Sequence, residues 1–353
     1  MIKGLLYKIL DHFSLPHIIG AFIWVVFKFA CVAALMVIVV LALVLLERRI
    51  LAFLTIRKGP NRVGPNGVLQ TVADAIKLLF KEDIVAEGTD KILFSVAPIV
   101  FFAPVLVVYG LIPFAQGRAG IEVPCGLLLL LAVSSIGILG LLSAGWASNN
   151  KYSLLGAMRS VAQGISYELP LVMAALGVAL WAGSMDLNQI ALQQRNILHW
   201  YVFPSGLGFL IFLVCTLAEL NRCPFDLPEA ESELVGGFNT EYSGMKFALF
   251  FLAEYALLFA YSAIIVTLFF GGYSSPFGVY ILGLIPYIKK VVFLEQAFWL
   301  LLKTSVFVYL IMLIRATLPR LRADQLMSFS WEFLLPLSFL NLILLALIKY
   351  YLG

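Results

Sequence analysis

Charge is what this sequence has least of. Only 12% of its 353 residues are Asp, Glu, Lys or Arg, while 62% are hydrophobic. A soluble domain of this length carries roughly a quarter charged residues and alternates apolar with polar faces along its helices. That deficit excludes an ordinary soluble domain. Histidine is equally scarce: His12, His17 and His199 are grouped neither with one another nor with glutamates, so no His/Glu metal site is indicated. The four cysteines, Cys31, Cys125, Cys215 and Cys223, lack the close spacing that zinc sites, iron–sulfur clusters or a disulfide framework need. No small-residue cleavage pattern follows the opening "MIKGLLYKILDHF", which reads as an amphipathic part of the mature chain and not as a secretory leader. The net charge of +4 gives no reason to expect nucleic acid as a partner.

What the chain has instead is near-continuous apolar runs of about twenty residues, the length that spans a bilayer. Eight are expected, at roughly 22–46, 93–115, 124–145, 161–183, 203–220, 245–270, 293–315 and 330–350. The fold class is therefore all-α: one integral membrane domain over residues 1–353, a polytopic helix bundle. An even number of spans puts both termini on one side and the segments 47–92, 146–160, 221–244 and 316–329 on the other. Most Lys and Arg fall in that second set, among them Arg48, Arg49, Arg57, Lys58, Arg62, Lys77, Lys81, Arg159, Arg222 and Arg320. The excess places those loops in the cytoplasm and the termini outside, in the periplasm of a bacterial inner membrane. Segment 271–292 is then an external, partly interfacial connection.

Within the first charged segment, "RKGPNRVGPNG" is punctuated too densely by Gly and Pro for helix or strand, and gives a series of turns that holds a shape. The following "NGVLQTVADAIKLLFKED" places Leu69, Val72, Ile76, Leu79 and Phe80 on one helical face and Gln70, Asp74, Lys77 and Lys81 on the other. This amphipathic helix is expected along the membrane surface or against the bundle. Asp74 and Lys77 have the spacing of an ordinary surface pair on its polar face.

Carboxylates also occur where lipid is expected. Glu47, Glu168, Glu219 and Glu254 lie inside or at the ends of spans, and a central charge costs about 2.5–3.5 kcal/mol. Such groups face the bundle interior or water, and they are candidates for proton transfer. The densest acidic stretch, "NRCPFDLPEAESELVGGFNTEYSG" over residues 221–244, sets Asp226, Glu229, Glu231, Glu233 and Glu241 against Arg222. Asp226 and Glu229 have capping-box spacing with Pro228 in the first turn, which predicts a helix start. In a helix Glu229 and Glu233 share a face while Glu231 points elsewhere; in an extended segment all three share one. Arg222, three residues after Glu219, shares a face with it if the preceding span continues. A solvated acidic loop is the alternative, and "CPFDLP" argues instead for a packed segment.

The stretches "ERRILAF", "RKGPNRVGPNG", "QTVADAIKLLFKED", "GWASNNKYSLLGAMRS", "AELNRCPFDLPEAESELVGGFNTEYSGMKF" and "ATLPRLRADQLM" together resemble the H subunit family of bacterial NADH-quinone oxidoreductase and its mitochondrial equivalent. The resemblance covers most of the chain, and is weakest over the N-terminal thirty residues and 184–200. It implies a subunit without redox centres, of translocase type, at the junction of the membrane and peripheral arms of respiratory complex I. Such a subunit forms much of the access chamber for quinone, ubiquinone or menaquinone. Implied partners are peripheral-arm subunits with the quinone headgroup site and the terminal iron–sulfur cluster, small and antiporter-like membrane-arm subunits, and lipid. FMN and the iron–sulfur clusters belong to partners; no cofactor is expected on this chain alone. The resemblance also implies residue roles. Arg48, Arg222, Asp226, Glu229, Glu231, Glu233 and Glu241 line or border the chamber, with Glu47 near its first span. Asp74, Glu168, Glu219 and Glu254 pass a charge change onward. For Asp74 this requires the polar helix face to turn inward. The competing readings are the homologous subunit of a membrane-bound hydrogenase or formate hydrogenlyase, an autonomous ion transporter, and a passive scaffold.

Overall fold

In a bilayer each backbone N–H and C=O must be satisfied within the segment, so long apolar runs become helices. The chain is described by a computed structural model over residues 17–228, 231–278 and 292–352. The N-terminal amphipathic stretch, residues 229–230 and most of the expected external connection lie outside these residues. The long helices are α1 (His17–Leu54), α3 (Lys91–Leu111), α4 (Gly126–Ala147), α5 (Lys151–Ala182), α9 (Gly244–Phe269) and α10 (Val292–Thr317). Between them lie α2 (Gln70–Phe80), α6 (Leu187–Gln193), α7 (Gly206–Glu219) and the single turn α8 (Glu231–Leu234). The chain ends in α11 (Ala323–Ser328), which continues through a π-helical turn (Phe329–Leu334) into α12 (Leu335–Leu352). Seven stretches of the described residues, the α11–α12 unit counting as one, are long and apolar enough to cross a membrane. Where a fifth full span is expected, α7 has 14 residues, about 21 Å of helix against a hydrocarbon core of roughly 30 Å.

Two boundaries differ from the apolar runs for identifiable reasons. Helix α5 begins at Lys151, well before 161, because the Asn150 side chain accepts a hydrogen bond from Tyr152 N at 3.0 Å and caps it. Most of 146–160 is therefore helix. The last membrane helix begins at Ala323 and widens to a π turn just before Pro336. Proline lacks an N–H and its ring crowds the carbonyl four residues back, so the preceding turn opens.

Helices α3, α4 and α5 pack in sequence, and α5 is also covered by α7 and α12. Close approach between α3 and α4 requires glycine at 140, where a Cβ would lie 2.7 Å from Phe101 N. The part of α9 from Tyr255 to Phe269 is almost entirely buried. Charged connections gather at one end of the bundle, tied to one another. Asn150 Nδ2 donates to Glu241 Oε1 at 2.7 Å, Ile84 N to Ser243 Oγ at 3.1 Å, and Leu321 N to the Pro224 carbonyl at 3.1 Å. Lys246 pairs with Asp83 at 3.0 Å. At the other end Lys303 donates to the carbonyls of Phe270 (2.7 Å), Gly272 (3.2 Å) and Ser274 (2.7 Å), where α9 has just ended.

Candidate functional site

At the charged end the last turns of α1, α7 and α10 converge on α9 around Glu254 and Tyr255. Helix α7 stops because Asn221 turns the chain at φ 48°. Arg222 therefore leaves the α7 surface, contrary to the expectation that it shares a face with Glu219. Its Nη1 donates to Glu47 at 3.2 Å and 3.3 Å. Both side chains are only 6% exposed. Arg315, at the end of α10, pairs with the same carboxylate. The Arg222 guanidinium lies 4.5 Å from the centre of the Tyr255 ring, and its Nη2 is buried without a hydrogen-bond partner. Burial pulls its pKa down, but Glu47, with Tyr255 and Glu254 behind it, carries the net shift upward. Arg222 is thus a fixed positive charge.

Beside this cluster is a cavity of about 390 Å³, bordered by Asn221, Arg222, Cys223, Asp226, Glu254, Tyr255 and Arg315, with Phe247 and Phe251 as apolar wall. A concave site that combines aromatic wall with a few convergent polar groups suits a small amphiphile with a flat polar head. Of the residues expected to border a chamber, Arg222 and Asp226 line this cavity, and so does Glu254 from the relay set. Asp226 is held by Arg320 at 3.0 Å. It does not start a helix: described residues 226–228 are non-helical, and its carboxylate is engaged with Arg320 instead of a backbone N–H.

Arg48, Glu233 and Glu241 of the expected chamber residues are not among those lining the cavity. Glu233 is 56% exposed and pairs with Arg159 of α5 at 2.5 Å, and Glu241 accepts from Asn150. Glu229 lies outside the described residues and Glu231 is placed only as the first residue of α8. Arg48 Nη1 meets Asp74 at 2.6 Å, and Gln70 donates to the same carboxylate at 3.1 Å. The polar face of α2 thus turns toward α1, and Asp74 pairs across helices and not with Lys77. The apolar face carrying Leu69, Val72, Ile76, Leu79 and Phe80 points outward, Phe80 being 87% exposed. Deeper in the bundle, Glu168 accepts a hydrogen bond from Ser135 of α4, and Glu219 shares the lining of a small cavity with Tyr261 of α9. Asn221 borders the same small cavity and also lines the large one. Among the described residues there is no His, Cys, Asp and Glu grouping able to hold a metal.

Arg315, Tyr255, Tyr261, Ser135 and Arg320 were not singled out as site residues from sequence. The position of Arg315 near "ATLPRLRADQLM" was the available signal; for the tyrosines and Ser135 there was none.

A family model described as NADH dehydrogenase matches residues 27–346. The H subunit of NADH-quinone oxidoreductase from Brevibacillus brevis is 47% identical over 332 residues, covering 94% of this chain and 95% of the relative. The H subunit from Bacillus mycoides is 50% identical over 307 residues, 87% and 88% of the two chains. That from Bacillus thuringiensis is 49% identical with the same coverage. With the match extending through every long helix and the cavity between them, this chain belongs to the NADH dehydrogenase family that includes the H subunits of NADH-quinone oxidoreductases.

Proposed function

We propose that this chain is a membrane subunit of a proton-translocating NADH:quinone oxidoreductase, respiratory complex I, and that it forms part of the quinone chamber. The observation that carries the reading is the buried Glu47–Arg222 pair, joined by the part-exposed Arg315, on the border of the 390 Å³ cavity. A quinone that takes up electrons gains negative charge before it gains protons. A fixed guanidinium at the wall favours that charge, and nearby carboxylates respond to it. Glu254 shares the wall, while Glu219 and Glu168 lie deeper along α7 and α5. With Asp74 they form the onward relay, while Arg48, Glu233 and Glu241 border the chamber; the family resemblance gives Glu229 and Glu231 the same role.

Electrons arrive from partner subunits that carry FMN and the iron–sulfur clusters, and the signal leaves toward antiporter-like partners. The charged end faces the cytoplasm of a bacterial inner membrane, with both termini outside. A tag on this chain, gentle extraction, and assay of the purified complex test the reading. Inhibitor-sensitive, NADH-dependent quinone reduction is expected, and Glu254→Gln lowers quinone reduction and proton pumping while NADH oxidation by an artificial acceptor continues. Unchanged quinone reduction and pumping in that variant would contradict it.

A further inference from the structure

Helix α5 contains Pro170. Lacking an N–H, Pro170 cannot bond the carbonyl of Ser166, and its ring crowds that carbonyl. A buried carbonyl left unpaired is costly. Ser330, fully buried in the π-helical turn Phe329–Leu334, donates its hydroxyl to the Ser166 carbonyl at 2.6 Å. The indole N–H of Trp331 donates to Ser166 Oγ at 3.1 Å, and Ser166 Oγ donates on to the Ala162 carbonyl at 2.7 Å. Tyr167 Oη, one residue along, donates to the Leu326 carbonyl at 2.9 Å. Two successive residues of α5 are thereby tied to the C-terminal helix, and the third is Glu168, whose carboxylate meets Ser135 on the other flank. Glu168 rides on a proline hinge that would be loose without these bonds. The π turn matters because its extra residue per turn changes which side chains of the C-terminal helix face α5; such turns recur at functional sites.

We propose that Ser330, aided by Trp331, is a positioning residue: a latch that fills the carbonyl freed by Pro170 and holds the hinge of α5 where Glu168 meets Ser135. The consequence for proton transfer rests on the relay reading of Glu168 given above; the latch itself does not.

The test uses the assembled complex, purified and reconstituted in liposomes. In S330A, amide exchange over residues 164–170 is expected to accelerate by about tenfold or more, the scale set by one orphaned buried carbonyl, and the pH profile of proton pumping shifts. S330T, which keeps the hydroxyl, restores both. In an E168Q background the S330A profile shift vanishes, because the group being positioned is gone. Wild-type exchange and an unmoved profile in S330A overturn the latch; a profile shift of equal size in E168Q overturns its action through Glu168. If S330A does not assemble, P170A/S330A is decisive: residue 170 regains an N–H for the Ser166 carbonyl, so assembly returns, and continued failure to assemble refutes the pairing. Full pumping in E168Q alone removes the relay reading and leaves the exchange result to judge the latch.

Discussion

Replacing Glu47 by Met removes the carboxylate that is hydrogen-bonded to Arg222. Both side chains are 6% exposed, so the remaining guanidinium stays buried and loses its paired counter-charge. Breaking a buried pair from one side costs about 3–5 kcal/mol, two to three and a half powers of ten in the folded population at about 1.4 kcal/mol each. Arg315→Met is different. Its side chain is 36% exposed, and Glu47 keeps Arg222, so screening limits the loss to about 1 kcal/mol or less. The informative variant is the double one. E47M/R222M removes both charges, fills the space with apolar atoms, and is expected to recover much of the loss of E47M. The assay is the temperature at which half of this subunit is lost from the purified complex, measured for the wild type, R315M, both single variants and the double. Additive losses in E47M/R222M, or an E47M as mild as R315M, would refute the claim that the charges hold one another.

Two further outcomes are expected. Glu233→Gln leaves assembly intact, since its exposed pair with Arg159 is worth under about 1 kcal/mol, yet lowers quinone reduction and pumping; normal rates of both would exclude Glu233 from the chamber. Gly67→Ala lowers the yield of assembled complex and opens the 57–68 turns to limited proteolysis, because Gly67 holds φ +73° and a Cβ there would lie 2.1 Å from the Pro60 carbonyl oxygen; wild-type yield and protease resistance would refute the strain.

The spans were legible because lipid solvates apolar runs wherever they fall, a property each segment carries alone. The site was legible only in kind. Intramembrane glutamates and the arginine in "NRCPFD" announce charge within the bundle, but partner choice depends on helix contacts that composition does not encode. Glu47 and Arg222 are 175 positions apart. Asp74 has Lys77 one turn away in sequence, yet the side chain it meets is Arg48, because α2 folds its polar face back onto α1. Helix starts read from local motifs were weakest. Asp226 has the spacing of a cap, and Arg320, supplied by a distant turn, takes its carboxylate instead. The π turn left no sequence mark beyond Pro336, since one proline is compatible with a kink, a break or a widened turn.

Lys303 lies twelfth in the 26-residue α10, away from either helix end. Its three carbonyl partners, at Phe270, Gly272 and Ser274, all belong to the end of α9. Were α10 to enter lipid alone, that ammonium would oppose insertion by about 2.5–3.5 kcal/mol; entering beside α9, it arrives with its oxygen ligands in reach. The contact between Lys303 and the end of α9 thus bears on biogenesis as well: α10 is expected to enter lipid more readily beside α9 than alone.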